Sequence, residues 1–195
     1  LFSARRAFLY ARAWRSKIVT HDPVEYRFRL KGTLLEHAMR IESASMQDAR
    51  EVMGWFPDKE SVRLWGSPYT RYPLREETFF EDIYWDRVES RIARGDNNEL
   101  LAFGQFYPKL ARCHLARLVV NPGFRRRGVG VNFIDRLMTH GGEHLNTTEF
   151  SLYVMTANKP AWHCYKSLGF HMEPYPHGDP HLDNCVFMVA GRPGF

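Results

Sequence analysis

The segment that most constrains the fold runs from Val119 to Gly130. It begins with Val-Val, continues through Asn-Pro-Gly-Phe and ends in Arg-Arg-Arg-Gly-Val-Gly. The β-branched pair is typical of the end of a strand, and Asn-Pro-Gly is typical of a turn. Apolar residues then recur at Val129, Phe133 and Leu137, a spacing that predicts a helix with one buried face. We expect this helix to begin at Gly128 and to end near Gly141-Gly142, where a left-handed cap is available.

The start of this helix has the properties of a phosphate site. The first turn of a helix carries unpaired backbone N–H groups and the positive end of the helix dipole, which both favour an anion. Gly128 and Gly130 lack a Cβ and so permit close approach to the amides, while Arg125, Arg126 and Arg127 add forked donors. The spacing matches neither the dinucleotide fingerprint nor the nucleotide triphosphatase loop. Taken alone, the hexamer also fits a basic turn before an ordinary amphipathic helix.

A second motif follows about thirty residues later. Residues 158–170 read Asn-Lys-Pro-Ala-Trp-His-Cys-Tyr-Lys-Ser-Leu-Gly-Phe. Together with Arg-x-x-Gly-x-Gly after a Val-Val strand, the pattern Asn-x-x-Ala-x-x-x-Tyr-x-x-x-Gly-Phe resembles the acyl-CoA signature of the GNAT acetyltransferase superfamily. The resemblance is close over residues 115–171 and loose over residues 39–190.

The resemblance implies a single-domain α/β (α+β) fold. Its strongly twisted mixed sheet would have about six to seven strands and about four flanking helices, with acetyl-CoA, the acetyl donor, lying where the fourth and fifth strands splay apart. The main chain of Leu118, Val119 and Val120 would pair with the pantetheine arm and the acetyl carbonyl. Asn158 would cap its helix and contact the cosubstrate, and no metal is implied. The pyrophosphate would be held by Arg125, Arg126, Arg127, Gly128, Val129 and Gly130.

The same resemblance assigns the catalytic residues. Tyr165 would be the general acid that protonates the leaving thiolate, and reference pKa values of about 10 for tyrosine and 8.5 for a thiol make this transfer nearly balanced. Many relatives place a glutamate on the fourth strand as base, where this chain has His114 and Arg117. His114 is either the base or a hydrogen-bonded structural histidine, and a water chain or a neutral amine substrate would also serve. The missing glutamate leaves a non-catalytic acyl-CoA-binding regulatory module as the alternative function.

The acceptor would be a primary amine of unidentified identity, on a small molecule or a protein. A helix predicted over Arg75–Trp85 has an acidic face that either attracts a cationic amine or is simply solvated. We expect most residues of the aromatic run before this helix to pack in the core and about two of them to face the substrate. The run consists of Trp55, Phe56, Trp65, Tyr69 and Tyr72. The candidate metal-ligating side chains between the last two predicted strands lie in a loop that we interpret as solvated rather than as a metal site. They are His171, His177, Asp179, His181 and Asp183.

The charge distribution argues against nucleic acid as the partner. The net charge is +5, and residues 1–38 carry eight basic and three acidic side chains, so the rest of the chain is neutral. We interpret residues 1–38 as a basic extension that is disordered, a mis-called start, a real surface extension, or a segment for targeting or polyanion contact, and residues 39–195 as the acetyltransferase domain. The sequence contains no apolar run long enough to predict a membrane span. Three cysteines without paired spacing favour reduced thiols and a cytoplasmic location, and we expect a monomer or homodimer.

Overall fold

Seven strands form one mixed sheet in the computed structural model, which describes residues 39–66, 69–175 and 184–192. The strand order is β1-β2-β3-β4-β5-β7-β6, and only the β4–β5 pair is parallel among these neighbours. This confirms the predicted mixed sheet of six to seven strands. The bounds are β1 (Arg40–Ser43), β2 (Glu89–Arg94), β3 (Leu100–Lys109), β4 (Arg112–Val120), β5 (Glu149–Met155), β6 (His171–Met172) and β7 (Cys185–Gly191). The proposed extension over residues 1–38 lies outside the described residues, so the domain boundary stays a prediction.

Five α-helices flank the sheet within the described ranges, one more than the four expected. They are α1 (Met46–Met53), α2 (Lys59–Trp65), α3 (Glu76–Asp82), α4 (Val129–Leu145) and α5 (Lys159–Ser167), and a short 3₁₀ turn covers Pro122–Phe124. The additional helix is α2, which lies within the aromatic run before α3. Its Asp58 side chain accepts from the Ser61 backbone N–H at 2.7 Å, and this capping box starts the helix.

The helices cover opposite faces of the sheet. Phe103 of β3 packs in the core formed with α1, α2 and α3, whereas a Cβ on the adjacent Gly104 would meet Phe133 and Leu137 of α4. Consecutive strand residues point to opposite faces, so α1–α3 lie on one side and α4 on the other. Tyr165 of α5 belongs to the same core cluster as α4.

β4 and β5 pair over only three residues. Cys113, His114 and Leu115 align with Phe150, Ser151 and Leu152, and the ladder ends there. Just beyond that point β4 contains a bulge, because Arg117 and Leu118 together oppose the single residue Gly104. Arg117 takes a left-handed φ of 50°. The two strands therefore diverge, and the edge of β4 from residue 116 to 120 has no β5 partner in the described chain.

Helix α4 runs through Gly141-Gly142 and ends at Asn146, so the predicted end at the glycines was wrong. Gly141 is buried inside the helix, and a Cβ there would lie 2.6 Å from the Cys113 Sγ and 3.3 Å from the Phe106 ring. The glycine thus lets α4 approach β3 and β4 closely. The left-handed cap falls instead on Asn146, with φ 49°.

Helix α3 is shorter than predicted. It ends at Asp82 rather than Trp85, and Tyr84 has a left-handed φ of 54°. Phe79 and Ile83 are fully buried, whereas Tyr84 is 42% exposed.

Gly141→Ala should destabilise the fold by about 1–3 kcal/mol, although alanine has the better helix propensity, because the added methyl overlaps Cys113. Urea unfolding monitored by circular dichroism measures this free energy. The double variant Gly141→Ala/Cys113→Ala should recover part of the loss. A single variant as stable as the unmodified protein would contradict the close approach.

Candidate active site

The predicted phosphate turn has the expected local geometry. β4 ends at Val120, the Asn121 side chain accepts from the Gly123 N–H at 3.0 Å, and α4 begins at Val129 with Gly128 as its N-cap. Gly128 and Arg126 both have positive φ, of 81° and 61°. The first-turn amides of a seventeen-residue helix therefore follow a turn that curls back on itself, an arrangement suited to an anion.

The three arginines of the turn are exposed but not equivalent. The Arg125 Nε donates to the Val120 carbonyl at 3.2 Å, which folds that side chain back on β4. The Arg127 guanidinium lies 5.6 Å from the centroid of the Phe124 ring. Their role as pyrophosphate ligands, like that of the neighbouring amides, stays a prediction.

The turn, the free edge of β4 and α5 meet at one place. A Cβ built on Gly130 would lie 3.4 Å from the Val120 side chain and 3.8 Å from the Cys164 Sγ of α5. Leu118 and Val120 pack on the α4–α5 side and Val119 on the other. These residues therefore line the gap between β4 and β5, as an acyl-CoA site requires. Their main-chain pairing with pantetheine is not itself tested.

Helix α5 is held by the predicted cap. The Asn158 side chain accepts from the Ala161 N–H at 3.3 Å, and its contact with CoA stays a prediction. Tyr165 is 7% exposed and its ring lies 6.0 Å from that of Phe170. Burial raises the pKa of the Tyr165 hydroxyl above its usual value. The phenol thus stays protonated, as a general acid must, but gives up its proton less readily than reference values suggest.

His114 sits inside the sheet rather than at an open surface. It is 2% exposed, its Nδ1 lies 2.9 Å from the Ser151 Oγ, and its ring contacts Tyr107 and Tyr153 at 5.1 Å each. Burial, assisted by the charges of Lys109 and Arg117, lowers the pKa of His114 to about 3. The imidazole is neutral at physiological pH and is a weak base. The structural role is the better supported of the two that the sequence allowed.

A cluster of polar and aromatic side chains surrounds His114 on the α1–α3 side of the sheet. We call it the acceptor-face cluster: Tyr84, Tyr107, Lys109, His114, Arg117, Tyr153 and Tyr175. The Lys109 Nζ lies 4.7 Å from the Tyr153 ring centroid and 5.5 Å from that of Tyr175. The tyrosines come from four separate segments and were not predicted from the sequence. Only the alternation of Gln105, Tyr107 and Lys109 along β3 could have indicated a shared face.

The aromatic run before α3 divides into core and surface residues. Trp55 and Trp65 are buried at 7% and 9% exposure, and Phe56 packs on Trp65 at 4.5 Å between centroids. Tyr69 and Tyr72 are 65% and 45% exposed. Core packing thus accounts for most of the run, and contact of the exposed tyrosines with substrate stays a prediction.

The acidic face of α3 is largely paired with arginine. Arg50 meets Glu76 at 2.8 Å, and Arg71 binds Glu81 at 2.5 Å and donates from Nε to Asp82 at 2.7 Å. These ion pairs weaken the case for this face as an attractor of cationic amines.

The described residues contain no group of three or more side chains arranged to hold a metal ion. His171 is exposed beside Glu173, while His177, Asp179, His181 and Asp183 lie outside the described residues. Nor does any helix in the described ranges have the length and apolar character needed to cross a bilayer.

A mixed sheet whose strands β4 and β5 separate beside a glycine-lined helix start is the arrangement expected of an acyl-CoA-dependent acyltransferase. The sequence profile of the acetyltransferase (GNAT) family matches residues 59–170, which is more than half of the chain. The chain therefore belongs to the GNAT family and is an acetyl-CoA-dependent N-acetyltransferase. Acetyl-CoA is its acetyl donor, and an amine is its acceptor.

Solved structures with the same fold include spermidine N-acetyltransferases. The enzyme from Vibrio cholerae in complex with CoA and spermine is 16% identical, with a TM-score of 0.60 over 78% of this chain and 95% of that chain. A dodecameric form of the Vibrio cholerae enzyme is 15% identical, with a TM-score of 0.56 over 78% of this chain and 93% of that chain. At these identities the likeness concerns the fold.

Gly130→Ala should weaken CoA binding by about tenfold or more without destabilising the protein. The new methyl makes only ordinary contacts at 3.4 and 3.8 Å within the protein, and alanine favours the helix. It would nevertheless stand where phosphate oxygens approach the first-turn amides. Calorimetric titration with CoA and thermal unfolding measure the two quantities. Unchanged CoA affinity would place the pyrophosphate elsewhere.

The burial of His114 predicts a specific dependence of stability on pH. Its pKa is about 6.5 in the unfolded chain and about 3 in the folded one, so the unfolded chain binds more protons between these values. Stability should therefore fall as the pH falls from 6.5 towards 3. His114→Gln, which keeps an amide donor and acceptor near Ser151 but does not titrate, should show a shallower loss. Equal slopes for the two proteins in urea unfolding would contradict the buried, neutral imidazole.

Proposed function

We propose that this N-acetyltransferase acts by direct attack of the acceptor amine on acetyl-CoA in the gap between β4 and β5. The observation that carries the proposal is the end of the β4–β5 ladder at Leu115 and Leu152. That gap lies between the phosphate turn on the α4 side and the acceptor-face cluster on the α1–α3 side. The donor is held from the first side and the amine enters from the second.

The free edge of β4 supplies the electrostatic stabilisation in this proposal. Attack on the thioester carbonyl produces a tetrahedral oxyanion. No β5 residue pairs with the backbone N–H groups between residues 116 and 120. These groups are fixed donors for that oxygen, and fixed donors lose little energy to reorganisation. The same main chain aligns the pantetheine arm as an added strand would be aligned.

Tyr165 supplies the proton for the departing thiolate. Its place among the core residues shared with α4 keeps the hydroxyl protonated and shields it from bulk water. Because burial raises its pKa further above that of a thiol, the transfer depends on a thiolate that is itself poorly solvated in the same gap.

In this proposal no side chain of β4 acts as the general base that removes the proton of the acceptor amine. His114 is too weak a base for this task, since its pKa is lowered to about 3 by burial. We therefore infer that the enzyme binds the fraction of amine that is already neutral, or that solvent removes the proton at the mouth of the gap.

The acceptor class, location and assembly remain parts of the proposal. The structural relatives are spermidine N-acetyltransferases, which makes spermidine and spermine the first acceptors to assay. The described cysteines Cys113, Cys164 and Cys185 are free thiols, which supports a reducing compartment such as the cytoplasm. A monomer or homodimer is the simplest assembly, although one relative is dodecameric.

Tyr165→Phe should lower kcat by about a hundredfold or more and leave CoA affinity unchanged, because only the proton donor is removed while the ring still packs on Phe170. Thiol release from acetyl-CoA with a panel of primary amines measures kcat. Ser167→Ala, which removes an exposed hydroxyl from the same helix, is the matched control. Full turnover in Tyr165→Phe would remove the assigned acid, and thiol release by no amine would favour a non-catalytic CoA-binding module.

A further inference from the structure

Arg117 is a partly buried cation without a carboxylate partner in the described chain. Its Nη1 donates to the Gln105 side-chain oxygen at 2.9 Å, its Nη2 to the Asp82 backbone carbonyl at 3.3 Å, and its guanidinium lies 5.3 Å from the Tyr84 ring. All three partners are neutral groups. The Nε is buried and has no hydrogen-bond partner. Burial consequently lowers the pKa of Arg117.

The carboxylate of Asp82, whose main chain contacts Arg117, already has a partner. The Asp82 side chain is 5% exposed and receives hydrogen bonds from the Arg71 Nε at 2.7 Å and from the Arg71 backbone N–H at 2.9 Å. Only its main-chain oxygen is hydrogen-bonded to Arg117, although the charge of the carboxylate also acts on the guanidinium and partly counters the effect of burial on the Arg117 pKa. A buried or half-buried charge is normally paired, so the guanidinium stands in an environment that would be improved by an anion.

A second cation shares this face. Lys109 forms no ion pair with a carboxylate within the described residues and is held instead over two tyrosine rings. Both Lys109 and Arg117 lower the pKa of His114, which shows that the two charges act on the same small region. The acceptor-face cluster is thus electropositive, the opposite of what a polyamine would select.

Arg117 also lies where β4 leaves β5, two residues beyond Leu115, the last paired residue of β4. It is the first residue of the β4 bulge, immediately before Leu118 and Val119, and its carbonyl accepts from the Trp65 Nε1 at 2.8 Å, which fixes the backbone there. A ligand group bound to its side chain would therefore be within a few bonds of an amine placed against the free edge of β4.

We propose that the acceptor is an amine that also carries a carboxylate, and that the Arg117 guanidinium binds this carboxylate while the amine faces the β4–β5 gap. This inference rests on the proposed function and narrows its acceptor from any primary amine to an amino-carboxylate. Lys109 adds long-range attraction for the same group.

The decisive comparison uses pairs of acceptors that differ only in charge. Amino-carboxylates from glycine to 6-aminohexanoate, each with its carboxamide, span the distances between amine and anion that the gap could accept. Thiol release from acetyl-CoA should give kcat/KM values about ten- to a hundredfold higher for the best acid than for its amide, as expected for a charge-assisted hydrogen bond. Equal values for acids and amides, or spermidine and 1,6-diaminohexane as the best acceptors, would overturn the proposal.

Variants then assign the preference to a residue. Arg117→Gln should raise KM for the acids by about the same ten- to a hundredfold and change KM for the amides far less, and Arg117→Lys should retain part of the preference. Arg50→Gln, which removes an exposed arginine paired with Glu76, is the control. A loss that is equal for acids and amides would show a purely structural role for Arg117. If Arg117→Gln does not fold, the comparison of acids with amides in the unmodified protein still decides.

A binding measurement separates this inference from the proposed chemistry. If no amine releases thiol, catalysis as proposed fails. Calorimetric titration of the N-acetylated amino-carboxylates and of the corresponding N-acetylated amides into the CoA complex then tests the anion site alone. Tighter binding of the acids that disappears in Arg117→Gln sustains the site, and equal binding of acids and amides overturns it.

Discussion

The structure depends on the departure of β4 from β5 after three paired residues. A parallel ladder that continued would satisfy the backbone of residues 116–120 with a neighbouring strand and leave no opening. The bulge at Arg117 and Leu118 prevents this, because it bends the strand and strengthens its twist. A left-handed φ at a non-glycine residue costs about 1–2 kcal/mol. The Trp65 hydrogen bond to the Arg117 carbonyl and the close packing of Leu118 over Gly104 help to offset that cost.

The bulge also reverses which side chains face which layer. Before it, Cys113 and Leu115 belong to the core with α4; after it, Leu118 and Val120 do, and Val119 packs with α1–α3. One extra residue in a strand with period two exchanges the faces of everything that follows. Arg117 is thereby turned towards α3 and Tyr84 instead of into the α4 core. A single local irregularity thus opens the proposed donor site and places a cation on the proposed acceptor side.

The parts predicted from sequence are those set by short-range chemistry. Asn158 caps α5 and Asn121-Pro122-Gly123 ends β4, each through contacts within a few residues. The helix end was wrongly predicted at Gly141-Gly142. Gly141 is there because a side chain would overlap Cys113 and Phe106, which are distant in sequence. The acceptor-face cluster was missed for the same reason. Neither the bulge nor its reversal of faces has a signature in the residues 115–120 themselves.

The electropositive acceptor face bears on the missing strand glutamate. Nearby cations disfavour the protonated form of any amine or imidazole, which is part of why the pKa of His114 falls. An acceptor ammonium held near Arg117 and Lys109 would experience the same field, and each unit by which its pKa falls increases the neutral, nucleophilic fraction about tenfold. A carboxylate on the acceptor would anchor it by the very charges that weaken its ammonium. Two cations can in this way replace part of the work of a general base, provided that the acceptor brings its own anion.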